Sequence, residues 1–133
     1  MSLAYLDTSC LLSVALDEVD GSRVMEALRP YSDPISSNLL EAEMRSALMR
    51  ERISEEPDML AVVGWILPSR PLGPEIQHVL EFGLVRGADL WHLATALYAA
   101  DAPEELPFLT LDKQQETVAS SLGFPTPLAQ ISL

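Results

Sequence analysis

The sequence predicts a small three-layer α/β domain, a central parallel sheet flanked by helices. Three observations carry this. The strand-like runs at residues 3–6 and 108–111 are apolar rather than alternating, as in strands covered on both faces. Helical patterns separate such runs along the whole chain. The 133 residues suit one domain, residues 1–133, and 48% of them are hydrophobic, enough to fill its core.

Each element has a local reason. Residues 3–6 start the sheet, and Asp7, Thr8 and Ser9 then offer helix-capping side chains. Residues 10–16 continue as an apolar helix, closed by the acidic stretch 17–20 and Gly21. A second helix covers residues 22–28 and stops at Pro30, and residues 35–37 form a brief strand after Pro34. Residues 38–52 are the clearest amphipathic helix, with Leu40, Met44, Ala47 and Leu48 at helical spacing. Asn38 and Glu41 have the spacing of a capping box.

Pro57 opens an apolar helix that ends near Pro68, and Leu72 lies in a short extended piece. A helix from Pro74 to about Arg86 ends at Gly87, and residues 88–100 are again apolar and helical. After the strand at 108–111, Asp112 and Gln115 make a cap signature for a helix at 113–122, which Gly123 stops. Residues 124–127 fit a short edge strand, where proline is tolerated.

Twenty acids against eight bases give a net charge of −12 and a pI near 4.3. That balance excludes a broad phosphate-tracking surface, which needs clustered Lys and Arg. The mean hydropathy of +0.16 excludes a disordered acidic chain. Excess acid in a folded domain serves solubility, a basic partner, or carboxylates gathered around a divalent cation. One cysteine excludes an internal disulfide framework and a multi-thiolate metal site. Cys10, beside Leu11, Leu12 and Val14, reads as a small buried hydrophobe. The first residues lack the basic and apolar regions of a signal peptide. The longest apolar stretch, residues 59–67 around Gly64, is too short to span a bilayer. The expected location is the cytoplasm, with no membrane association.

The acids fall in a pattern. Ligands of open parallel sheets bind beyond the carboxyl ends of the strands. Asp7 ends the first strand and Asp112 follows the strand at 108–111, so both face one edge of the sheet. Glu43 lies beside the apolar stripe of its helix, and Asp89 opens a helix whose other side chains are almost all apolar. Gathered carboxylates repel one another unless a cation neutralises them. Mg²⁺ or Mn²⁺ suits an all-oxygen set, whereas zinc calls for histidine or cysteine. Such an ion ionises bound water and stabilises a phosphodiester's developing charge. Each acid also has a plain structural explanation. Asp7, Asp89 and Asp112 each precede a helix and suit N-caps, and Glu43 suits a partly exposed helix position. Glu41 competes with Glu43, but capping at Asn38 and pairing with Arg45 account for it.

At these residues the chain resembles a PIN domain, specifically of the VapC toxin type. The resemblance spans nearly the whole length. It rests on Leu3-Ala4-Tyr5-Leu6-Asp7-Thr8-Ser9, on residues 35–48 around Glu43, on Ala88-Asp89-Leu90-Trp91-His92-Leu93-Ala94-Thr95-Ala96, on Phe108-Leu109-Thr110-Leu111-Asp112, and on Gly123-Phe124-Pro125-Thr126-Pro127. Their order and spacing carry the signal together. The resemblance implies an Mg²⁺- or Mn²⁺-dependent endoribonuclease, dimeric and paired with a basic antitoxin. It matches Asp7, Glu43, Asp89 and Asp112 to the family's acids and Thr8 to its supporting hydroxyl. Asp7 and Asp89 are the expected direct metal ligands, with Glu43 and Asp112 binding directly or through water. Trp91 is bulkier than the family's usual residue there.

RNA must then meet a strongly acidic protein. Arg45, Arg50 and Arg52 on the Glu43 helix, with Lys113 just after Asp112, are the candidate RNA-facing bases, and a solvated helix face explains them equally well. His92 follows Asp89 by three residues and reads as structural, since the metal would supply the nucleophile. His78 reads as a surface or interface residue. Val62, Val63, Trp65 and Ile66 suit the core or a homodimer seam. Two other readings remain at this point. One is a PIN-like binding protein without activity. The other is an aspartate-based phosphotransfer domain, although a phosphatase of the haloacid-dehalogenase type would carry an aspartate where Ser9 stands.

Overall fold

The computed structural model describes residues 2–54, 57–85 and 87–131. Four strands, β1 (Leu3–Leu6), β2 (Asp33–Ser37), β3 (Gly64–Ile66) and β4 (Phe108–Leu109), form an all-parallel sheet in the order β3-β2-β1-β4. The helices are α1 (Thr8–Ala15), α2 (Gly21–Leu28), α3 (Asn38–Arg50), α4 (Asp58–Val62), α5 (Gly73–Leu80), α6 (Gly87–Ala99), α7 (Lys113–Leu122) and α8 (Pro127–Ile131). A 3₁₀ turn, Pro103–Glu105, leads into β4.

The period-two pleat of β1 separates the layers. Tyr5 points to one face and packs with Phe108 of β4, with Val79, Leu93, Ala96 and Val118 of α5, α6 and α7, and with Phe124 beyond α7. Ala4 and Leu6 point to the other face, with Cys10, Val24, Leu28 and Leu128 from α1, α2 and α8. A smaller apolar cluster joins α1, α3 and α4 through Leu11, Leu40, Met44, Leu48 and Leu60. This is the three-layer α/β arrangement expected from the apolar strand runs.

Several boundaries differ from the sequence reading. The stretch 57–68 is no single helix: α4 ends at Val62, and residues 64–66 become β3, pairing with β2 at Ile35↔Gly64 and Ser37↔Ile66. A short apolar run cannot be divided between helix and strand by periodicity alone. Residues 124–127 do not form a strand. Phe108 N–H donates to Pro125 O at 2.8 Å, but prolines at 125 and 127 offer no N–H for a ladder. Pro127 instead starts α8, a helix the pattern did not indicate. Leu72 is the buried residue preceding α5 rather than an extended segment. α5 ends at Leu80, and the anticipated helix end at Arg86 lies outside the described residues. Gly87, read as a stop, begins α6 with φ +58°. Gly123 does stop α7, at φ +107°. Cys10 is fully buried.

Among the described residues no helix is long and apolar enough to cross a membrane. Of the apolar run 59–67, Leu60 and Val63 are buried, whereas Val62 and Leu67 stand largely in solvent.

Candidate active site

The strand order reverses between β1 and β4: the chain moves outward from β1 through β2 to β3, then crosses back to place β4 on the other side of β1. A crevice opens at such a switch point beyond the carboxyl ends of the strands. Asp7 lies at the end of β1, and Asp112 lies just beyond β4.

Asp7 is 3% exposed and held by its neighbours. Its Oδ1 accepts from Ser9 Oγ at 2.7 Å and from Cys10 N–H at 3.2 Å, and its Oδ2 lies 2.8 Å from Thr110 Oγ1. Asp7 is therefore itself the N-cap of α1, the structural role its position allowed. The Ser9 hydroxyl serves Asp7 rather than capping in its place. Ser9 Oγ also accepts Leu111 N–H at 3.0 Å, which turns the chain away from β4 after Leu109 and ties the two strand ends together.

Asp112 is the N-cap of α7, with Oδ1 accepting Gln115 N–H at 2.9 Å, and it is exposed. Thr110 Oγ1 accepts Asp112 N–H at 3.0 Å. Buried Gln115 links this loop to α6: its Oε1 lies 2.7 Å from Thr110 Oγ1, and its Nε2 donates to Asp89 O at 3.1 Å. Asp89 stands in the first turn of α6, half-buried. Thr110 was not singled out from the sequence, and Gln115 was read only as the partner of the Asp112 cap, not as a link to Thr110 and α6. A hydroxyl two residues before Asp112 and an amide three residues after it were the available signals.

Glu43 reaches the same end from α3, which leaves β2 directly and is capped by Ser37 Oγ accepting Leu39 N–H at 2.9 Å. The Asn38–Glu41 capping box does not form. Thr8 Oγ1 donates to Glu43 Oε1 at 2.5 Å. His92 is 1% exposed, with Nε2 at 3.1 Å from Thr8 Oγ1 and 3.6 Å from Glu43 Oε1. Glu41 points elsewhere and pairs with Arg45 at 2.9 Å. Trp91 Nε1–H donates to Ser37 Oγ at 3.0 Å, so its bulk packs against the entrance to α3.

The electrostatics link the acids. Burial raises the Asp7 carboxyl above its ordinary range, against the lowering effect of the Ser9 and Thr110 hydroxyls. Burial also raises Asp89, reinforced by the charges of Asp112 and Asp7 and, more weakly, Glu43. Glu43 is held low by His92 and by the Thr8 hydroxyl. Asp89 therefore feels the other three acids at once. Among the described residues no three His, Cys, Asp or Glu side chains form a ready-made metal cage. The donor chemistry nonetheless fits Mg²⁺ or Mn²⁺, which bind through one or two carboxylates and keep water on their other positions. A cation there relieves the repulsion at Asp89. Zinc fits poorly, because Cys10 is buried and both His92 ring nitrogens are within hydrogen-bond reach of hydroxyls.

An open depression of about 400 Å³ adjoins Glu43, lined by Thr8, Leu12, Ala42, Ser46, Ala47 and Arg50. Of the bases noted in sequence, Arg45 pairs with Glu41, Arg50 with Glu51 at 3.4 Å, and Lys113 with Glu116 at 3.6 Å. Arg52 follows α3 in a left-handed conformation, φ +58°. His78 is on the surface, 3.1 Å from Glu81.

The PIN domain model matches residues 4–120, and the chain belongs to that family, in general a nuclease fold. No curated protein and no solved structure matches the chain.

Proposed function

We propose that the chain is an Mg²⁺- or Mn²⁺-dependent endoribonuclease acting in the cytoplasm as the toxin of a VapC-type toxin–antitoxin pair. One observation carries the catalytic reading: Asp89 is pushed up by burial and by the charges of Asp112, Asp7 and Glu43 at the switch point of a PIN fold. An acid cluster of this kind is suited to a hard cation.

Asp7 and Asp89 would hold the ion directly, with Glu43 and Asp112 binding it directly or through water. When bound, the cation supplies an ionised water and stabilises the charge that develops on the phosphodiester. The protein's own part is orientation. Asp7 is fixed by Ser9, Thr110 and the Cys10 N–H, so its carboxylate is set before substrate arrives. Thr8 occupies Glu43 Oε1, leaving Oε2 to accept a hydrogen bond from the attacking water. Asp112 uses Oδ1 as a cap, leaving Oδ2 for a water of the site. Arg50, at the rim of the depression beside Glu43, is the base best placed for an RNA phosphate.

The test is cleavage of single-stranded RNA by the purified protein. Cleavage that needs Mg²⁺ or Mn²⁺ and disappears in Asp7→Asn supports the reading. Full activity in that variant, or in excess EDTA, contradicts it. A protein that binds RNA or metal without cleaving would be the inactive PIN-like alternative. Aspartyl phosphotransfer is disfavoured by Ser9, which stands where a haloacid-dehalogenase phosphatase would carry its second aspartate.

The partners follow from charge and surface. A net charge of −12 favours a basic antitoxin segment, and an Arg or Lys from it would take the cation's place among the acids. Exposed Val62 and Leu67 favour a homodimer seam near β3. Co-purification with a basic partner, inhibition relieved by added Mg²⁺, and a dimer in solution are the expected results.

A further inference from the structure

We infer that His92 is a positioning residue of this site, whose Nε2–H orients Glu43 through the Thr8 hydroxyl. The inference rests on the role proposed for Glu43, but the relay itself stands on hydrogen-bond geometry.

The relay has two fixed ends. The Ser37 backbone N–H can only donate, and the ionised Glu43 carboxylate can only accept. From the first end, Ser37 N–H donates to the Tyr5 oxygen at 3.1 Å, and the same oxygen lies 2.8 Å from His92 Nδ1. From the second end, Thr8 gives its proton to Glu43 Oε1 at 2.5 Å. The Thr8 oxygen is then an acceptor, and His92 Nε2, at 3.1 Å, is its donor. The Glu43 end therefore places a proton on Nε2, and the Tyr5 hydroxyl holds the ring by Nδ1.

Packing keeps the ring in this role. His92 is 1% exposed and Tyr5 is fully buried. The imidazole meets the Tyr5 ring edge-on at 5.7 Å, and Tyr5 is stacked on Phe108 at 5.2 Å with 6° between the planes. The relay thus runs from the β2–α3 junction through β1, α6 and α1 to α3. Glu43 itself is one-third exposed, and its side chain meets Thr8 and His92. Without the donor at Nε2, the Thr8 hydroxyl is free to rotate and Glu43 loses its fixed orientation. Partners that orient a metal site's ligands in this way commonly contribute 10–100-fold in metal affinity or activity.

The test uses the full chain and three readouts. In ¹⁵N NMR of the metal-free protein, His92 Nε2 should carry a proton. A bare Nε2 overturns the relay. Scalar couplings should show one Glu43 χ1 rotamer in the wild type and averaging in His92→Leu; equal averaging in both overturns the positioning role. Mn²⁺ affinity should fall about tenfold in Tyr5→Phe, which keeps the ring stack. His92→Gln, which keeps a donor near Nε2, should retain more affinity than His92→Leu. Variants that lose thermal stability but bind Mn²⁺ like wild type would make His92 merely structural. A wild type that binds no Mn²⁺ would defeat the metal reading, while the Nε2 and rotamer readouts would still decide the relay.

Discussion

Thr110 stands 2.8 Å from Asp7 across 103 positions of sequence, and the same hydroxyl lies 2.7 Å from Gln115 Oε1. One proton faces two acceptors. A proton on Asp7 completes the set, and burial favours the same neutral form. In metal-free protein the folded state therefore holds this proton more tightly than the unfolded chain. Stability falls as pH rises from the unfolded aspartate value, about 3.9, to the raised folded one, and the penalty is constant above it. Asp7→Asn removes the penalty. In EDTA at pH 7 this variant should be more stable by about 0.5–2 kcal/mol, and the gain should shrink toward pH 4. Thermal unfolding across pH checks both the sign and the window.

Divalent cations should reverse that order. An ion that binds the folded state stabilises it by about 2.7 kcal/mol at a hundredfold excess over its Kd. Mg²⁺ or Mn²⁺ should raise the melting temperature of the wild type. The rise should be absent in Asp7→Asn and in Asp89→Asn, and calorimetry on the three proteins measures it.

The two glutamates of α3 offer a paired control. Glu43→Gln should lower RNA cleavage by about 100-fold or more, on the scale of a lost general acid–base group. Glu41→Gln breaks an exposed pair with Arg45 and should change stability by no more than about 0.5 kcal/mol, with activity near wild type. Equal losses in both variants would show that facing Thr8 is not what matters.

Much of this was legible in the sequence because it depends on local order. The apolar runs gave β1 and β4, and Asp7 follows β1 directly; β4 ends at Leu109 rather than Leu111, so Asp112 stands three residues past its strand. The choice of Glu43 over Glu41 came from the apolar neighbours of one and the Arg45 partner of the other. Long-range relations were not legible. Nothing near residue 7 announces a hydroxyl at 110, and nothing near His92 announces Tyr5. β3 was hidden inside an apolar run that suits helix and strand alike. Gly87 was misread because a glycine with positive φ can precede a helix as well as follow one.

Gly123 tests the loop behind the core. Its φ of +107° disfavours any side chain, and an added Cβ would lie 2.9 Å from Glu104 Oε1. Gly123→Ala should lose about 1 kcal/mol or more through backbone strain, while RNA cleavage at a temperature where the variant stays folded should be unchanged. Chemical denaturation and an RNA assay on the same preparation separate the two effects.

The most direct test of the account is an Mg²⁺ titration of RNA cleavage rate, run on the wild type and on Asp89→Asn. Asp89 is the acid that feels the other three, so neutralising it should weaken the site without unfolding it. The account predicts wild-type cleavage that is absent in EDTA and saturates with Mg²⁺, and a variant whose rate is lost or recovers only at much higher Mg²⁺. Wild-type cleavage that persists in EDTA, or an Asp89→Asn titration curve identical to the wild type, would contradict it.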